Sequence, residues 1–311
     1  MALTYDDLDV AVRKAFLPGI VNQFFKATPL LVRLMSKNNV KLRGGRKIAQ
    51  PVVYDELPSG YYSGLDTFDT SYKQTHTYAE WDWKSAYVNV TIPGDDIAKA
   101  ESDQEIIGLL RPKMEVASLT MRKKLCEGIY SDGTGDGGKA VDGLLNGLDD
   151  GNTYSTYGGI NRSTNTWWKG NVDSTGGSLT LDMIQDMYGT CMDGDEHPDL
   201  IVMPPALYNK LWARVQPQQR FLPKDSDLAQ VGFEGITFNR AVIVPDNYCP
   251  SGTIFVLNTK YIQFVINTNR NFVWTPPKEP TNQDAYVRQL LVMCNLIVTA
   301  PWRSGIIKNV T

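Results

Sequence analysis

The pattern of hydrophobic and polar positions predicts a long hairpin near the start of the chain. Residues 47–54 and 72–92 have the alternation and composition of β-strands, and the segment between them is rich in Gly, Pro, Ser and Asp. In the second strand the apolar side changes near Lys84 and Ser85, and one core cannot bury both registers of a straight strand. We therefore predict either a bulge there or a passage from one packing environment to another.

A long helix is predicted after the hairpin. Its pattern begins near a cap at Asp95 or Asp96 and continues to about Tyr130, which corresponds to about 35 to 50 Å of helix. Its apolar residues recur at spacings of three and four along one face: Ile106, Leu110, Met114, Ala117, Met121 and Leu125. Pro112 should kink this helix or mark its true start.

Helical and strand patterns alternate in the second half of the chain, after a loop-rich segment at 131–177. We predict helices at 181–192 and 205–215 and strands at 199–203, 236–239, 241–244, 253–265 and 285–298. The second of these helices should bury Leu207, Leu211, Trp212 and Val215. The last strand would be about 46 Å long, so that it and the long helix would form an elongated domain.

Composition places the chain among globular proteins and limits its partners. It has 311 residues, of which 42% are hydrophobic and 21% charged, enough for one large or two ordinary domains. The net charge of −3 argues against a domain that grips nucleic acid tightly through phosphates. The longest apolar stretch, 290–300, contains Asn295 and is too short to span a bilayer, so we expect no membrane partner. The four cysteines lie far apart without a CxxC pair, as is typical of reduced thiols in a cytosol.

Motifs that could carry chemistry fail on closer inspection. The string GTGDGGKA at 133–140 resembles a phosphate loop, but a helix precedes it and Ala140 replaces the hydroxyl residue. As a calcium loop it lacks the bidentate Glu at its twelfth position, which is Gly143. His76 and His197 have no His or Cys at metal-ligand spacing, and the acidic residues at 193–199 are better explained as a solvated loop. We therefore expect no catalytic residue, no metal ligand and no cofactor.

The basic run at 37–47 contains Lys37, Lys41, Arg43, Arg46 and Lys47 without an acid between them. Three interpretations stay open: a solvated loop, a contact with an acidic neighbouring surface, or a contact with DNA.

Two apolar segments are candidates for contacts between subunits. In the first, 16–34, prolines and a glycine interrupt a sequence whose apolar residues would form a larger exposed patch than monomers tolerate. Its predicted contact residues are Phe16, Ile20, Phe24 and Phe25. The second is the hairpin tip, 55–68, whose predicted contact residues are Leu57, Tyr61, Tyr62 and Leu65. The alternative for each segment is that it packs on its own subunit.

The order of these parts, together with several strings, resembles the major capsid proteins of tailed bacteriophages, which have the Hong Kong 97-type fold. The strings are FLPGIVNQFFKATPLLVRL (16–34), GGRKIAQPVVY (44–54), TYGGINRS with the following WW (156–168), DLIVMPPALYNKLW (199–212) and LNTKYI (257–262). The resemblance implies an α+β fold with an N-terminal arm (1–46), an E-loop hairpin (47–92), a peripheral domain with a spine helix (93–178 and 271–311) and an α/β axial domain (179–270).

The same resemblance implies a structural, non-enzymatic protein of the virion capsid that assembles in the host cytoplasm. Its subunits would form hexamers and pentamers of an icosahedral shell around double-stranded DNA, held by enclosure rather than by specific binding. Because the arm motif starts by Phe16, a separate scaffolding protein is expected, along with a portal and possible decoration proteins. The alternatives are another phage structural subunit, such as a tail-tube or decoration protein, or a cytosolic α/β enzyme built on residues 179–270.

Overall fold

The computed structural model describes residues 28–99, 103–215 and 236–311, which contain two larger β-sheets and two small ones. The helices are α1 Pro29–Ser36, α2 Gly94–Ala98, α3 Asp103–Ile129, α4 Leu144–Gly147, α5 Leu181–Thr190 and α6 Pro205–Val215. The strands are β1 Val40–Arg43, β2 Ile48–Val53, β3 His76–Trp81, β4 Lys84–Pro93, β5 Thr156–Tyr157, β6 Ile160–Asn161, β7 Asn171–Asp173, β8 Leu200–Met203, β9 Ile236–Phe238, β10 Ala241–Pro245, β11 Ile254–Leu257, β12 Ile262–Asn267, β13 Val273–Trp274, β14 Ala285–Val298 and β15 Gly305–Ile307.

A five-stranded sheet and α3 form the elongated part of the molecule. Strand β14 pairs antiparallel with β4 from Ala285 opposite Pro93 to Cys294 opposite Lys84, and on its other edge with β13 and β12. The buried face of α3 confirms most of the predicted stripe: Met114, Ala117, Met121 and Leu125. Pro112 lies inside α3 and does not mark its start.

The second larger sheet has six strands in the order β7-β15-β11-β8-β10-β9. Strands β8, β10 and β11 of this sheet are almost entirely buried, because α5 and α6 cover one face and the core shared with the five-stranded sheet covers the other. Leu207 and Leu211 of α6 are buried as predicted, whereas Trp212 is 40% exposed. The prediction for Trp212 was wrong because the helix buries a narrower stripe than its apolar residues suggest.

The strand predicted at 253–265 is two strands in different sheets. A 3-10 helix, Thr259–Tyr261, separates β11 of the six-stranded sheet from β12 of the five-stranded sheet. The side chain of Asn258 caps this turn by accepting a hydrogen bond from the Lys260 amide. The apolar pattern concealed the break because both strands are buried.

The change of register near Lys84 and Ser85 is a passage between environments, the second of the two predicted alternatives. Among the described residues, β3 pairs with β2 alone in a two-stranded sheet, and after Asp82 and Trp83 the chain enters the five-stranded sheet as β4. Each half of the segment therefore buries its own set of apolar residues.

The division into an arm, a hairpin, a peripheral domain and an axial domain remains a proposal. The sheet to which each strand belongs indicates where the domain boundaries would fall. Strands β7 and β15 belong to the six-stranded sheet although they lie in segments assigned to the peripheral domain, and β12 belongs to the five-stranded sheet. The segment assigned to the arm contributes α1 and β1 to the same subunit. Within α1, Leu30, Leu31 and Leu34 are fully buried, so this end of the arm sequence packs on its own subunit.

Candidate assembly surface

The distal part of the hairpin exposes a group of large apolar side chains. Beyond β2 and β3 the segment from Asp55 to Gln74 forms no strand, and it carries Leu57, Tyr61, Tyr62, Leu65, Phe68 and Tyr72 as exposed residues. Tyr61 and Leu65 are as exposed as in an extended chain, at 109% and 102%. Exposed apolar groups of this size are typical of surfaces that bind another protein. We call residues 55–74 the tip.

Contacts within the tip give it shape without covering these side chains. The ammonium group of Lys73 lies 2.8 Å from Asp55 Oδ1, and this hydrogen bond, with that of the Glu56 amide, lowers the pKa of Asp55. The Ser63 amide donates to Asp66 Oδ2 at 2.8 Å across a turn in which Gly64 has a φ of +60°. The rings of Tyr62 and Phe68 meet edge to face at 5.1 Å. Tyr62 therefore has a partner within the tip.

The base of the hairpin is fixed on one face only. Ile48, Val52, Ala79 and Trp81 are buried, whereas Val53 and Tyr78 on the other face are exposed. The paired strands are thus held by their own subunit and the tip extends beyond them. The four arm residues predicted as contacts, Phe16, Ile20, Phe24 and Phe25, lie outside the described residues.

A buried carboxylate, Asp199, joins α1 to the region where the two larger sheets meet. Its oxygens accept hydrogen bonds from the Thr259 amide at 2.7 Å and the Thr259 hydroxyl at 2.6 Å. They also contact Lys37 Nζ at 2.7 Å and Arg33 Nε at 3.2 Å. Burial alone would raise the pKa of Asp199, but the hydrogen bonds from Lys37 and Thr259 outweigh it and lower the pKa. Asp199 is therefore ionised at neutral pH.

The sequence pattern grouped Asp199 with a solvated acidic loop, whereas its carboxylate is buried and ion-paired in the structure. The residues concerned belong to three of the strings that carried the resemblance: Arg33 in 16–34, Asp199 in 199–212 and Thr259 in 257–262. Their spacing in sequence, more than 160 residues between Arg33 and Asp199, leaves no local signal of the contact.

The other acidic and basic candidates are largely paired within the subunit. Asp193 contacts Arg303 at 2.7 Å, and Glu196 contacts Lys260. Of the basic run, Lys37 binds Asp199, Lys47 contacts Glu80 at 3.3 Å and Arg43 donates to Gln50 at 2.9 Å. Within the described ranges, no group of three or more His, Cys, Asp or Glu side chains could hold a metal ion.

The glycine loop at 133–140 follows α3 directly, as expected of a segment that ends a helix. Asp136 and Gly137 have φ values of 53° and 70°, and Asp136 contacts Lys124 on α3 at 2.8 Å. The loop therefore closes back on the helix that precedes it.

A second buried cluster lies where the end of α3 meets the turn after β10. The Tyr130 hydroxyl donates to Asp246 Oδ2 at 2.7 Å, and the Tyr248 amide donates to Asp246 Oδ1 at 2.9 Å. Burial raises the pKa of Asp246 despite these two hydrogen bonds. The neighbouring thiol of Cys126 is also buried, which raises its pKa to about 12. All four cysteines are buried and free, so the thiols are poor nucleophiles.

Among the described helices, none has the length and apolar character needed to cross a membrane.

The fold is similar to that of solved shell-forming proteins. A chain of the cyanophage A-1(L) capsid asymmetric unit aligns with a TM-score of 0.63 and 14% identity over 88% of this chain and 91% of that chain. A chain from the capsid of a native GTA particle aligns with a TM-score of 0.61 and 13% identity over 90% of each chain. A chain of the holo-SrpI encapsulin complex from Synechococcus elongatus aligns with a TM-score of 0.54 and 15% identity over 100% of this chain and 96% of that chain. The molecule thus has the α+β architecture of the Hong Kong 97-type fold.

The chain belongs to the SU10 major capsid protein family, whose match covers residues 66–311. It is therefore a structural subunit of an icosahedral phage shell, and neither a tail-tube subunit nor an α/β enzyme is favoured. No curated protein matches the sequence significantly.

Proposed function

We propose that the tip joins each subunit to a neighbouring copy within the hexamers and pentamers of the shell. The observation that carries this proposal is the full exposure of Tyr61 and Leu65 beyond a hairpin whose base is packed on its own subunit. Tyrosine suits such a contact because its ring offers a large apolar area with few rotatable bonds, and its hydroxyl tolerates water before assembly.

The arm would supply a second contact through Phe16, Ile20, Phe24 and Phe25. Its support is the uncharged sequence FLPGIVNQFF at 16–25, which ends just before the buried helix α1. An apolar segment attached to a fixed helix can reach across a subunit boundary while its root stays in place.

The remaining partners follow from the role of a shell subunit. We propose a separate scaffolding protein and a portal, assembly in the host cytoplasm, optional decoration proteins, and DNA held by enclosure. The net charge of −3 supports enclosure over tight phosphate binding. We also propose that the subunit has no catalytic role.

The first test is the double substitution Tyr61→Ala with Tyr62→Ala. We expect the unassembled subunit to unfold at nearly the wild-type temperature, because neither ring is covered by the body of the subunit. Shells should fail to form, because the loss of both rings removes about 2 to 5 kcal/mol from a contact that every subunit repeats. Thermal unfolding and electron microscopy measure the two outcomes.

Tyr87→Ala provides the matched control, since Tyr87 is a 66% exposed tyrosine on β4 of the five-stranded sheet, outside the tip. A double variant that loses much subunit stability yet forms shells in normal yield would assign the tip to packing within the subunit.

A further inference from the structure

A compact segment beneath the hairpin, residues 149–168, is ordered by two buried charged residues. Asp149 is fully buried, and its Oδ2 accepts hydrogen bonds from the amides of Gly151, Thr153 and Tyr154 at 3.0, 3.2 and 2.9 Å. Such a set of amides around one carboxylate fixes the backbone of a turn. We call residues 149–168 the bracket.

Arg162 holds the bracket from inside. It is fully buried, and its guanidinium donates to the backbone carbonyls of Asn146, Gly147, Tyr154 and Trp168 at 2.8 to 3.3 Å. The guanidinium carbon also lies 5.0 Å from the centre of the Tyr157 ring. A guanidinium has five N–H donors on one planar group, so it can link several backbone segments that are not paired in a β-sheet.

The bracket contacts both strands of the hairpin. The Glu80 amide of β3 donates to the Gly158 carbonyl at 2.9 Å, and the ring of Trp81 packs edge to face on Tyr157 at 5.5 Å. On the other side, Tyr54, which directly follows β2, stacks on Trp167 at 4.8 Å.

The bracket is joined in turn to the five-stranded sheet. The Val298 amide at the end of β14 donates to the Tyr157 hydroxyl at 2.9 Å. Tyr157 therefore lies between Trp81 of the hairpin and the longest strand of the sheet. Within the described residues, β2 and β3 pair with each other and with no other strand, so these contacts contribute much of the orientation of the two strands.

Gly158 is a position where the backbone of the bracket lies directly against the hairpin. It has a φ of +57°, and a Cβ atom there would lie 2.9 Å from the Trp81 ring and 3.2 Å from the Ala79 Cβ. Its neighbour Gly159 has a φ of +74°, but a Cβ atom there would meet nothing closer than the Glu80 carbonyl at 4.0 Å. The pair forms the two-residue turn between β5 and β6, where both residues need positive φ.

We propose that the bracket sets the angle at which the hairpin leaves the subunit, and that Gly158 is the positioning residue that fixes this angle. This inference rests on the proposed contact of the tip with a neighbouring copy. A repeated contact requires every subunit to present the tip in one orientation, and a support ordered before assembly lowers the entropy lost on binding. Because strands advance about 3.3 Å per residue, a small displacement at Trp81 grows along the hairpin.

Gly158→Ala and Gly159→Ala test the inference as a matched pair. Both place a side chain at positive φ, so they share the backbone strain, but only Gly158→Ala pushes against Trp81. Spin labels attached at His76→Cys and Thr120→Cys would lie on the exposed end of β3 and the exposed side of α3. The distance between the two labels changes when the angle between the hairpin and α3 changes. The native thiols are buried and would not compete for the label.

In the full-length subunit before assembly, Gly158→Ala should shift or broaden the distance between the two labels, and its shell yield should fall severalfold. Gly159→Ala should keep the wild-type distance and yield. An unchanged distance in Gly158→Ala would overturn the inference, and so would a changed distance together with normal shells.

If Gly158→Ala does not fold, Tyr54→Ala replaces it, because this change removes the stack on Trp167 at the half-buried edge of the hairpin without adding a side chain at positive φ. A broadened distance is expected, and an unchanged one would count against the bracket. Failure of the tip proposal is distinguishable: Tyr61→Ala with Tyr62→Ala would then assemble normally, while the label distances still report whether the bracket sets the angle.

Discussion

Asp199 and Asp246 are both buried, yet their surroundings shift their pKa values in opposite directions. Asp199 faces two cations, Lys37 and Arg33, in addition to Thr259, and its pKa is lowered. Among the described residues, the donors to the Asp246 carboxylate are the neutral groups of Tyr130 and Tyr248, and burial raises the pKa of Asp246. The two pKa shifts differ in direction because cations contact the Asp199 carboxylate, whereas neutral donors contact that of Asp246.

We expect Asp199→Asn to lower the free energy of unfolding by about 2 kcal/mol at neutral pH, because the largely shielded guanidinium of Arg33 loses its counter-charge, whereas Lys37 is 37% exposed and stays in contact with water. The folded pKa lies below the unfolded value near 3.8, so the carboxylate stabilises the fold above that pH. This stabilisation is lost as the pH falls through the folded pKa. Urea unfolding at several pH values should show the gap between wild type and variant closing in acid. A gap that stays constant with pH would contradict this assignment.

Asp246→Asn is expected to behave in the opposite way. The raised pKa means that the neutral form suits the folded state, so the stabilising contribution is present at low pH and lost as the pH rises through the folded pKa. An uncharged amide keeps a hydrogen-bonding partner for Tyr130 or Tyr248. The free energy of unfolding of the variant should therefore differ from that of the wild type by no more than about 1 kcal/mol at neutral pH. Relative to the wild type, the variant should be more stable at neutral pH than in acid. The same urea series measures this, and a loss as large as that of Asp199→Asn would show that the charge of Asp246 is needed.

Individual elements differ in how far the sequence predicts them. Strand β14 has the bounds predicted for it, 285–298, because one face of it alternates clearly and turns flank it. The hairpin and α3 were predicted for the same reason. The break at Thr259–Tyr261 was missed because it depends on Asp199, which lies 60 residues away. The bracket was likewise invisible, since its order comes from the buried charges of Asp149 and Arg162 rather than from periodicity.

Helix α3 offers a test of one unusual residue. It continues through Pro112, which has no amide hydrogen and whose ring clashes with the carbonyl four residues earlier. Because Pro112 is exposed, Pro112→Ala should raise the free energy of unfolding by up to about 3 kcal/mol. Arg111→Ala, on the same exposed turn, controls for the loss of a surface side chain. A decrease in the unfolding temperature of Pro112→Ala would show instead that the proline fits α3 to the curvature of the sheet.

At the scale of the whole molecule, we propose a boundary between arm and body that lies before Thr28, closer to the N-terminus than residue 46. Helix α1 is capped by Thr28, whose hydroxyl accepts a hydrogen bond from the Leu31 amide, and its residues Leu30, Leu31 and Leu34 are fully buried. Strand β1 pairs in parallel with β12 of the five-stranded sheet. Residues 28–43 are therefore part of the folded subunit.

Two truncations test this boundary. Removal of residues 1–27 leaves α1, β1 and the Asp199 contacts in place, so circular dichroism should show a folded subunit with nearly the wild-type unfolding temperature. Electron microscopy should show no shells if the arm supplies the proposed contact. Removal of residues 1–46 uncovers β12 and the buried carboxylate, and we expect it to destabilise the subunit by several kcal/mol. Equal stability of the two truncated chains would show that α1 is an accessory to the fold.

The position of β15 in the six-stranded sheet determines when a newly synthesised subunit can complete its fold. This strand lies between β7 and β11, pairing in parallel with the first and antiparallel with the second. Until residue 307 has left the ribosome, the six-stranded sheet is therefore two separate pieces, and the edges of β7 and β11 that β15 will cover are open. An emerging chain consequently cannot present its finished surface to other copies early in translation. The order of the strands thus delays the ability to polymerise until synthesis has passed the last element of the sheet.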